Sequence, residues 1–355
     1  MKKVCLAAVF VLSAALFSSA AFAAPAKNKV VNVFTWEGSF EQEVLDAFEK
    51  KTGVKINYVN FDLDETMLAK LQAAKGGEYD VIIADDYILE TAIAEGLVKK
   101  LDKSKLKNYK NVNPFYQKQY FDKNDEYTVP YCAGILSIIY DPALTKVDIK
   151  SYGDLWNKSL KNKVGIIASF RDIDGAALKI LGYGINDGDI GHIKAAGKKL
   201  KELAPNIRLI KNDNMHEDLI AGEIAAGIMY TSQVTSAKLA KPSLKLVFPS
   251  EGTGFNVISA FIPVNAPNPE AAYAFIDFLL DAENAKKNYE FIGFYSTNSA
   301  ADKLIQPPYK EFLTLPESLD KSKMEILENI SPEAEAAHEV IWTEFKKATG
   351  VSVSE

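Results

Sequence analysis

The chain is poor in cysteine and histidine, and this scarcity limits the chemistry it can carry. It has two cysteines, Cys5 and Cys132, and three histidines, His192, His216 and His338, which lie far apart. Metal sites need such side chains at short spacings, so we predict that the protein has no metal site. The sequence also lacks GxSxG, P-loop and GxGxxG motifs. These absences weigh against an enzyme, and we predict no cofactor.

Long apolar runs are also scarce, and the main one lies at the N-terminus. Lys2 and Lys3 precede an apolar run over residues 4–17, and small residues follow as far as Ala23. The run is shorter than a membrane span, and its flanks are typical of a signal peptide. We therefore predict a signal peptide over residues 1–23, cleaved near Ala23, and an exported protein. An uncleaved anchor is the alternative.

Cleavage would leave one cysteine in a mildly acidic chain. Cys132 lies in an apolar stretch over 129–139, so we expect a buried thiol and no intramolecular disulfide. The net charge is −6 for the whole chain and −8 without residues 1–23, which contain two lysines and no acid. Such a charge is a poor basis for binding nucleic acid, and we predict none. About 330 residues imply roughly two domains.

The segment over 30–87 has the pattern of alternating strands and helices. Short apolar runs over 30–34, 54–59 and 81–84 alternate with stretches of helical spacing. Open α/β sheets bind ligands at the carboxyl ends of their strands. The residues at those ends are Trp36 and Glu37 after the first run, and Asp85, Asp86 and Tyr87 after the third. An aromatic face beside carboxylates suits a cationic organic ligand.

The remaining apolar runs indicate a second lobe. A long strand over 129–140 is predicted to pass between the lobes, and a strand over 257–262 to return. Short strands are predicted over 163–168, 209–211, 225–230 and 244–248, with helices over 87–95, 174–181, 193–203, 269–280, 282–292 and 332–347. Ser331 is the expected N-cap of the last helix. Two crossings make a hinge, and a cleft between hinged lobes is a common site for small molecules.

Each residue singled out so far also has a structural interpretation. Trp36 could be a core aromatic, and Glu37 could be a charge that stabilises a helix start. Asp85 and Asp86 could cap the helix that follows them. We expect one of them to be the cap and Asp85 to face the cleft.

Several longer stretches carry a resemblance to a known family. They include FTWEGSFEQEVLDAFEKKTGVKINYVNFDLDETMLAKL, GEYDVIIADDYILETAIAEGLVKKLDKSKLKN, FPSEGTGFNVISAFIPVNAPNPEAAYAFIDFLL and IGFYSTNSAA. From about residue 30 to 300 the sequence resembles the periplasmic spermidine/putrescine-binding proteins of ABC importers. The resemblance implies the α/β, two-lobed periplasmic binding protein fold (type II), with hinged lobes that each contain a central mixed sheet flanked by helices. It also implies a periplasmic monomer that docks onto a membrane ABC permease.

We predict four parts for this chain. The signal peptide over 1–23 is followed by a first lobe made of 24–134 and 254–300. The second lobe is made of 135–253. A C-terminal helical segment over 301–355 is predicted to pack across the lobes.

Residues and resemblance together predict one ligand-binding site. Its members are Trp36, Glu37, Asp85, Tyr87, Ser169, Asp172, Tyr230, Asn256 and Phe294. Asp172 falls at an acidic position of the family in a strand-to-helix loop, beside Arg171, which we expect to brace it. Tyr230 stands where the family has a tryptophan, and Phe294 stands where it has another aromatic residue.

The sequence departs from the family in the stretch GFNVIS. Asn256 replaces an aromatic residue, and Ile258 replaces an aspartate that binds an amino group in the family. A buried ammonium without an opposing charge is expensive. Either Asp85 supplies the charge from another wall of the cleft, or the ligand differs from a standard polyamine.

Three functions are therefore open. The favoured one is an extracytoplasmic receptor of an ABC importer that binds a polyamine between aromatic walls and carboxylates. The second is the same receptor with a diverged ligand, such as an amino acid or another small amine, in which case Arg171 could hold a carboxylate. The third is a secreted carbohydrate-active enzyme that uses Glu37 and either Asp85 or Asp172.

Overall fold

The computed structural model describes residues 29–354, so the predicted signal peptide lies outside the described residues. Two separate β-sheets form the framework. The strands are β1 (Val30–Thr35), β2 (Lys55–Asn60), β3 (Val81–Ala84), β4 (Thr128–Ile135), β5 (Ser137–Tyr140), β6 (Val164–Ile167), β7 (Ile207–Lys211), β8 (Ala226–Met229), β9 (Lys245–Val247), β10 (Gly254–Phe261), β11 (Tyr295–Ser296), β12 (Glu325–Ile326) and β13 (Val353–Ser354).

Helices flank both sheets. They are α1 (Gln42–Thr52), α2 (Asp64–Ala73), α3 (Asp86–Ala94), α4 (Phe170–Ile180), α5 (Ile190–Leu203), α6 (Met215–Ala221), α7 (Thr231–Ala240), α8 (Pro269–Leu279), α9 (Ala282–Ile292), α10 (Lys310–Leu313) and α11 (Pro332–Thr349). The β-α-β-α-β start predicted from the sequence is confirmed over β1 to β3.

Both sheets are mixed. The first has the order β11-β4-β10-β3-β1-β2, with β12 paired to β10. In it β1, β2 and β3 run parallel, and β10 runs antiparallel to β3 and β4. The second has the order β13-β7-β6-β8-β5-β9. The first lobe is the part built on the first sheet, and the second lobe is the part built on the second sheet.

Side-chain alternation explains how the first sheet is covered on both faces. Successive residues of a strand point to opposite faces, so Val33 and Phe34 of β1 enter two different apolar clusters. Helices α1, α8 and α9 cover one face, where Phe48 of α1 is fully buried. Helices α2 and α3 cover the other face through residues such as Met67 and Leu89. The second lobe has one core cluster, to which α4, α5, α7 and α11 contribute.

The chain passes from the first sheet to the second at Leu136. The apolar run predicted as one long strand is divided there into β4, which ends at Ile135, and β5, which begins at Ser137. The Leu136 N–H donates to the Gly254 carbonyl at 3.1 Å. The Thr231 hydroxyl accepts from the Ile135 N–H at 2.7 Å and donates to the Ile135 carbonyl at 3.1 Å. The first bond joins the two segments that cross between the lobes, and the other two tie the start of α7 to the end of β4.

Residues after 300 contribute to both sheets. Strand β12 pairs with β10 of the first sheet, and β13 pairs with β7 of the second. Helix α11 packs against α4 and α5 of the second lobe. The exact division of the chain into lobes stays a prediction.

Some helices also differ from the prediction. Helix α4 begins at Phe170, four residues before the predicted start, because the polar sequence Arg171-Asp172 hides the helical period. Helices α6 and α7 were not predicted. Helix α7 buries polar residues, including Thr231, Gln233 and Lys238, so it lacks the apolar stripe by which an amphipathic helix is recognised.

Helix α11 offers a direct test of a predicted local interaction. The Ser331 hydroxyl accepts from the Ala334 N–H at 3.2 Å, which confirms the predicted N-cap. We expect Ser331→Ala to lower the free energy of unfolding by about 1 kcal/mol, because a terminal N–H loses its acceptor. Urea denaturation measures the change. Ser331→Asp, which retains a capping oxygen, is the control, and an equal loss in both variants would contradict this assignment.

Candidate ligand-binding cleft

A cleft with a volume of about 710 Å³ lies between the two lobes. All nine residues predicted from the sequence line it; three of them come from the second lobe, and one lies between α9 and β11. They are Trp36, Glu37, Asp85, Tyr87, Ser169, Asp172, Tyr230, Asn256 and Phe294. The structure therefore brings together side chains separated by more than 200 positions in the sequence. Which of them contact a ligand stays a prediction.

The wall at the end of β1 is aromatic and acidic. Trp36 is half-buried, and its ring centroid lies 5.0 Å from that of Phe61 in a tilted arrangement. The Ser39 hydroxyl donates to the Trp36 carbonyl at 2.8 Å, and the Tyr58 hydroxyl donates to the same oxygen. Because both bonds go to the main chain, they fix the turn after β1 and leave the indole free to line the cleft. Glu37 is exposed at the rim.

Asp85 directly follows β3, whose neighbour in the sheet is β10, the strand that carries Ile258. Ser259 of β10 pairs with Ala84 of β3 in antiparallel register. Beyond this pair the Asp85 carboxylate accepts from Asn256, two residues from Ile258 on β10, so Asp85 lies near Ile258. Cys132 of β4 pairs with Ile258 on the other side of β10. Burial raises the pKa of the Cys132 thiol, and the charge of Asp85 adds to this rise. An acid that directly follows β3 thus lies near the β10 position where the family resemblance implies one.

One oxygen of the Asp85 carboxylate is held in place by a side-chain hydrogen bond. Its Oδ1 accepts from Asn256 Nδ2 at 2.8 Å. Burial raises the pKa of Asp85 to about 6, while this hydrogen bond opposes the rise and the nearby Glu65 adds to it. Asp85 is the N-cap residue of α3, but its side chain makes no capping hydrogen bond. It faces the cleft, as predicted.

Two further aspartates lie behind Asp85. The Asp86 carboxylate accepts from the Val257 N–H at 2.9 Å, and burial raises its pKa well above the usual value. Asp64 Oδ1 accepts from the Asp85 N–H at 3.2 Å. Burial first, and then the Asp85 charge, raise the pKa of Asp64 to about 7. Three carboxyl groups crowded in this way favour the arrival of a cation, which relieves their mutual repulsion.

Tyr87 stands at the rim of the cleft. Its side chain is 38% exposed, and its hydroxyl donates to Glu65 Oε1 at 3.0 Å. Burial of the ring and the surrounding carboxylates raise the pKa of the phenol, so it stays protonated at neutral pH. The ring can therefore lie along an organic ligand while its hydroxyl is held by the protein.

The second lobe contributes a carboxylate at a helix start. Asp172 lies in the first turn of α4, not in a preceding loop, and Ser169 is the N-cap residue. The Tyr230 hydroxyl donates to Asp172 Oδ2 at 2.6 Å. Burial raises the pKa of Asp172, and hydrogen bonds from Tyr230 and Ser169 counteract this. The N-terminal end of α4 also favours a negative charge at this position.

Arg171 does not form a direct hydrogen bond to Asp172. Its Nη1 donates to Glu335 Oε2 at 3.1 Å, and its Nη2 donates to the Glu328 carbonyl at 3.3 Å and to Asn186 Oδ1 at 3.4 Å. Arg171 acts on Asp172 only through its charge, which lowers the pKa of that carboxyl. Its guanidinium ties α4 to α11 and to the segment before it.

That segment contains lining residues that sequence reasoning missed. Leu327, Glu328 and Asn329 border the cleft, and Asn329 Nδ2 donates to Glu90 Oε2 of α3 at 2.7 Å. They lie beyond residue 300, where the family resemblance ends, and no motif marks them. Gly134 was also missed, although a glycine inside a predicted strand is a known sign of close approach.

The lining is predominantly acidic and aromatic. Its acids are Glu37, Asp85, Asp86, Asp172, Glu328 and Glu335, and Arg171 is the one lysine or arginine among the described lining residues. Its most prominent aromatic side chains are Trp36, Tyr87, Tyr230 and Phe294. Within residues 29–354, no cluster of histidine, cysteine and acidic side chains could hold a metal ion. This arrangement suits an organic cation.

Comparisons with known proteins agree with the geometry. The sequence profile of the bacterial extracellular solute-binding proteins matches residues 43–314. The chain belongs to this family. It is 36% identical to the spermidine/putrescine-binding periplasmic protein of Salmonella typhimurium over 82% of this chain and 84% of that protein. It is 34% identical to the protein of the same name from Escherichia coli, over 81% of this chain and 83% of that one.

Solved structures support the fold. The crystal structure of the spermidine/putrescine ABC transporter substrate-binding protein PotD from Streptococcus pneumoniae superposes with a TM-score of 0.84 at 28% identity. The alignment covers 90% of this chain and 99% of that one. The predicted family and the type II two-lobed fold are confirmed. Because the family consists of solute-binding receptors, the protein is a receptor and not an enzyme, and the carbohydrate-active alternative is rejected.

The location of the protein follows only in part. The family is extracellular, and the two relatives named above are periplasmic. Among the described residues, no helix has the length and apolar character needed to cross a membrane.

Proposed function

We propose that this protein is the periplasmic receptor of an ABC importer for a polyamine of the spermidine/putrescine kind. The cleft supports this by its charge, because its described lining contains six acids and one arginine. An ammonium group held between carboxylates forms charge-assisted hydrogen bonds. The aromatic rings would cover the methylene chain and attract its charges.

The position of Asp85 is the observation that carries the proposal. The family resemblance implies an ammonium-binding acid at position 258, where this chain has isoleucine, and Asp85 is bound to Asn256, two residues from Ile258 on the same strand. Asp172 provides a second carboxylate from the second lobe, with one oxygen held by Tyr230. One ammonium would bind at Asp85 and another at Asp172, so the ligand would bridge the lobes. Closure around it would be the state that the permease recognises.

The alternative of an amino-acid ligand has less support. Such a ligand needs a cation for its carboxylate, and Arg171 is the candidate. Both terminal nitrogens of Arg171 already donate to acceptors of this chain, and the residue is 8% exposed. A carboxylate would have to break these bonds inside a buried site, which is costly. The structure therefore favours an amine without a carboxylate.

A ligand panel tests the proposed function. We expect putrescine, spermidine or cadaverine to stabilise the protein by about 2.7 kcal/mol at about 100 times the dissociation constant. Thermal unfolding monitored by fluorescence measures this effect. Matched to putrescine, 4-aminobutanoate keeps the four-carbon chain with one terminal CH2–NH3+ group replaced by a carboxylate, and it should have no effect. Stabilisation by amino acids with no response to any polyamine would overturn the proposal in favour of the diverged ligand.

A further inference from the structure

Asn256 of β10 makes contacts toward both neighbouring strands of the first sheet, β4 and β3. It pairs directly with Gly134 of β4 in the register of β10. A Cβ atom on Gly134 would lie 2.2 Å from Asn256 Oδ1 and 3.3 Å from its Cγ. No side chain fits at position 134 while the amide is in this place. Glycine there is thus a requirement of the Asn256 conformation.

Because the amide is planar, the position of its oxygen fixes the direction in which its nitrogen points. Its Oδ1 lies over β4, so its Nδ2 points the other way, toward β3, where it donates to Asp85 Oδ1. The Phe294 ring lies 3.6 Å from the Cβ position of Gly134 and borders the same space. The Asn256 side chain therefore lies between the backbone of Gly134, which has no side chain, and the Asp85 carboxylate.

The surroundings of Asp85 explain why such a donor matters. The charged or titratable groups around Asp85 are Glu65 and Asp64 of α2, Asp86 and Tyr87 of α3, Cys132 of β4 and Tyr230 of the second lobe. None of these groups is cationic, and each carboxylate among them disfavours the charged form of Asp85. The Asn256 amide is the side-chain donor that the structure gives Asp85 against them.

We propose that Asn256 and Gly134 are positioning residues that aim the Asp85 carboxylate into the cleft, so that position 85 takes over the anchoring role of position 258. The proposal rests on the proposed function and adds to it. Ile258, 8% exposed at the side of Asp85, offers no polar atom that could compete for the carboxylate. Asn256, predicted as a ligand contact, would act through Asp85 instead.

A double-mutant cycle with putrescine as the probe tests this proposal. Asn256→Ala should weaken binding at pH 7 by about fivefold, which corresponds to the loss of one hydrogen bond. Gly134→Ala should weaken binding to a similar extent, because its methyl group displaces the amide. In the Asn256→Ala background the same Gly134→Ala change should have no effect, because the clashing atoms are gone. Additive losses in the double variant would contradict the proposal.

The pH profile supplies a readout that a purely structural role would not change. With a pKa of about 6, Asp85 takes up a proton as the pH falls below that value, and wild-type affinity for putrescine should fall there. Asn256→Ala removes a bond that lowers this pKa, so the fall should begin at a higher pH. In the Asp85→Asn background, Asn256→Ala should leave the profile unchanged.

The two proposals fail in different ways. If no amine binds the wild type, the proposed function is wrong. If putrescine binds and Asn256→Ala retains wild-type affinity and profile, only the positioning role is wrong. Carboxyl NMR titration of Asp85 in the ligand-free protein gives an independent reading. An unchanged Asp85 pKa in Asn256→Ala would also overturn the positioning role.

Discussion

Asp85→Asn is expected to weaken polyamine binding by about 2 kcal/mol or more, about thirtyfold in the dissociation constant. The substitution keeps the size and shape of the side chain and removes its charge. The ammonium group proposed to bind there would then lack the Asp85 carboxylate that balances its charge near Ile258. Isothermal titration calorimetry with putrescine and spermidine measures the loss.

A second substitution tests whether a negative charge at this place in the cleft is what binding requires. Ile258→Asp in the Asp85→Asn background returns an acid to the neighbouring strand, so it should recover much of the lost affinity. Ile258→Asn in the same background is the matched control, because it adds a polar group without charge. Circular dichroism shows whether each variant is folded, since Ile258 belongs to the apolar core. Asp85→Asn with wild-type affinity for a polyamine would remove Asp85 from the site.

Sequence reasoning succeeded where local patterns decide the structure. The apolar runs that became β1, β2 and β3 are short and flanked by polar residues, so their carboxyl ends could be located within one residue. Trp36, Asp85 and Tyr87 were found because ligand sites follow such ends. The second-lobe residues Ser169, Asp172 and Tyr230 came only from the family resemblance, since no local pattern points to them.

The relation between Asp85 and Ile258 could not be predicted in the same way. It depends on the antiparallel register of β3 and β10, two strands about 170 positions apart. A shift of this register by one residue would reverse the faces of the side chains, and only the packing of both faces determines it. Strand pairing over such separations is a property of the whole fold. That Asp85 replaces the acid missing at position 258 stays a prediction.

The partners of Arg171 are a second case. Its neighbours in sequence suggested a brace for Asp172, but its terminal nitrogens bind Glu335 and the carbonyl of Glu328, about 160 positions away. Helix α4 begins early enough to turn Arg171 toward α11. The C-terminal segment thus affects the cleft twice, through its own lining residues and through the arginine that it holds away from the ligand. Neither effect leaves a mark in the local sequence.

Trp36→Ala should weaken polyamine binding by about 1–2 kcal/mol, five- to thirtyfold, with the fold intact. The indole is half-buried and lines the cleft, so its loss removes a face on which methylene groups and ammonium charge rest. Calorimetry with putrescine gives the loss, and urea denaturation without ligand gives any change in stability.

Trp156→Ala is the matched control for Trp36→Ala. Trp156 is also half-buried, but it packs on the second-lobe core and donates from Nε1 to the Lys199 carbonyl at 2.8 Å, away from the cleft lining. Its removal should lower the free energy of unfolding and leave affinity unchanged. Comparison of the two variants thus separates the contribution of a tryptophan to core packing from its contribution to ligand binding, because each variant removes the same side chain from a different environment. If Trp36→Ala unfolds near room temperature while its folded fraction binds normally, Trp36 is a core residue, and the aromatic wall begins at Tyr87.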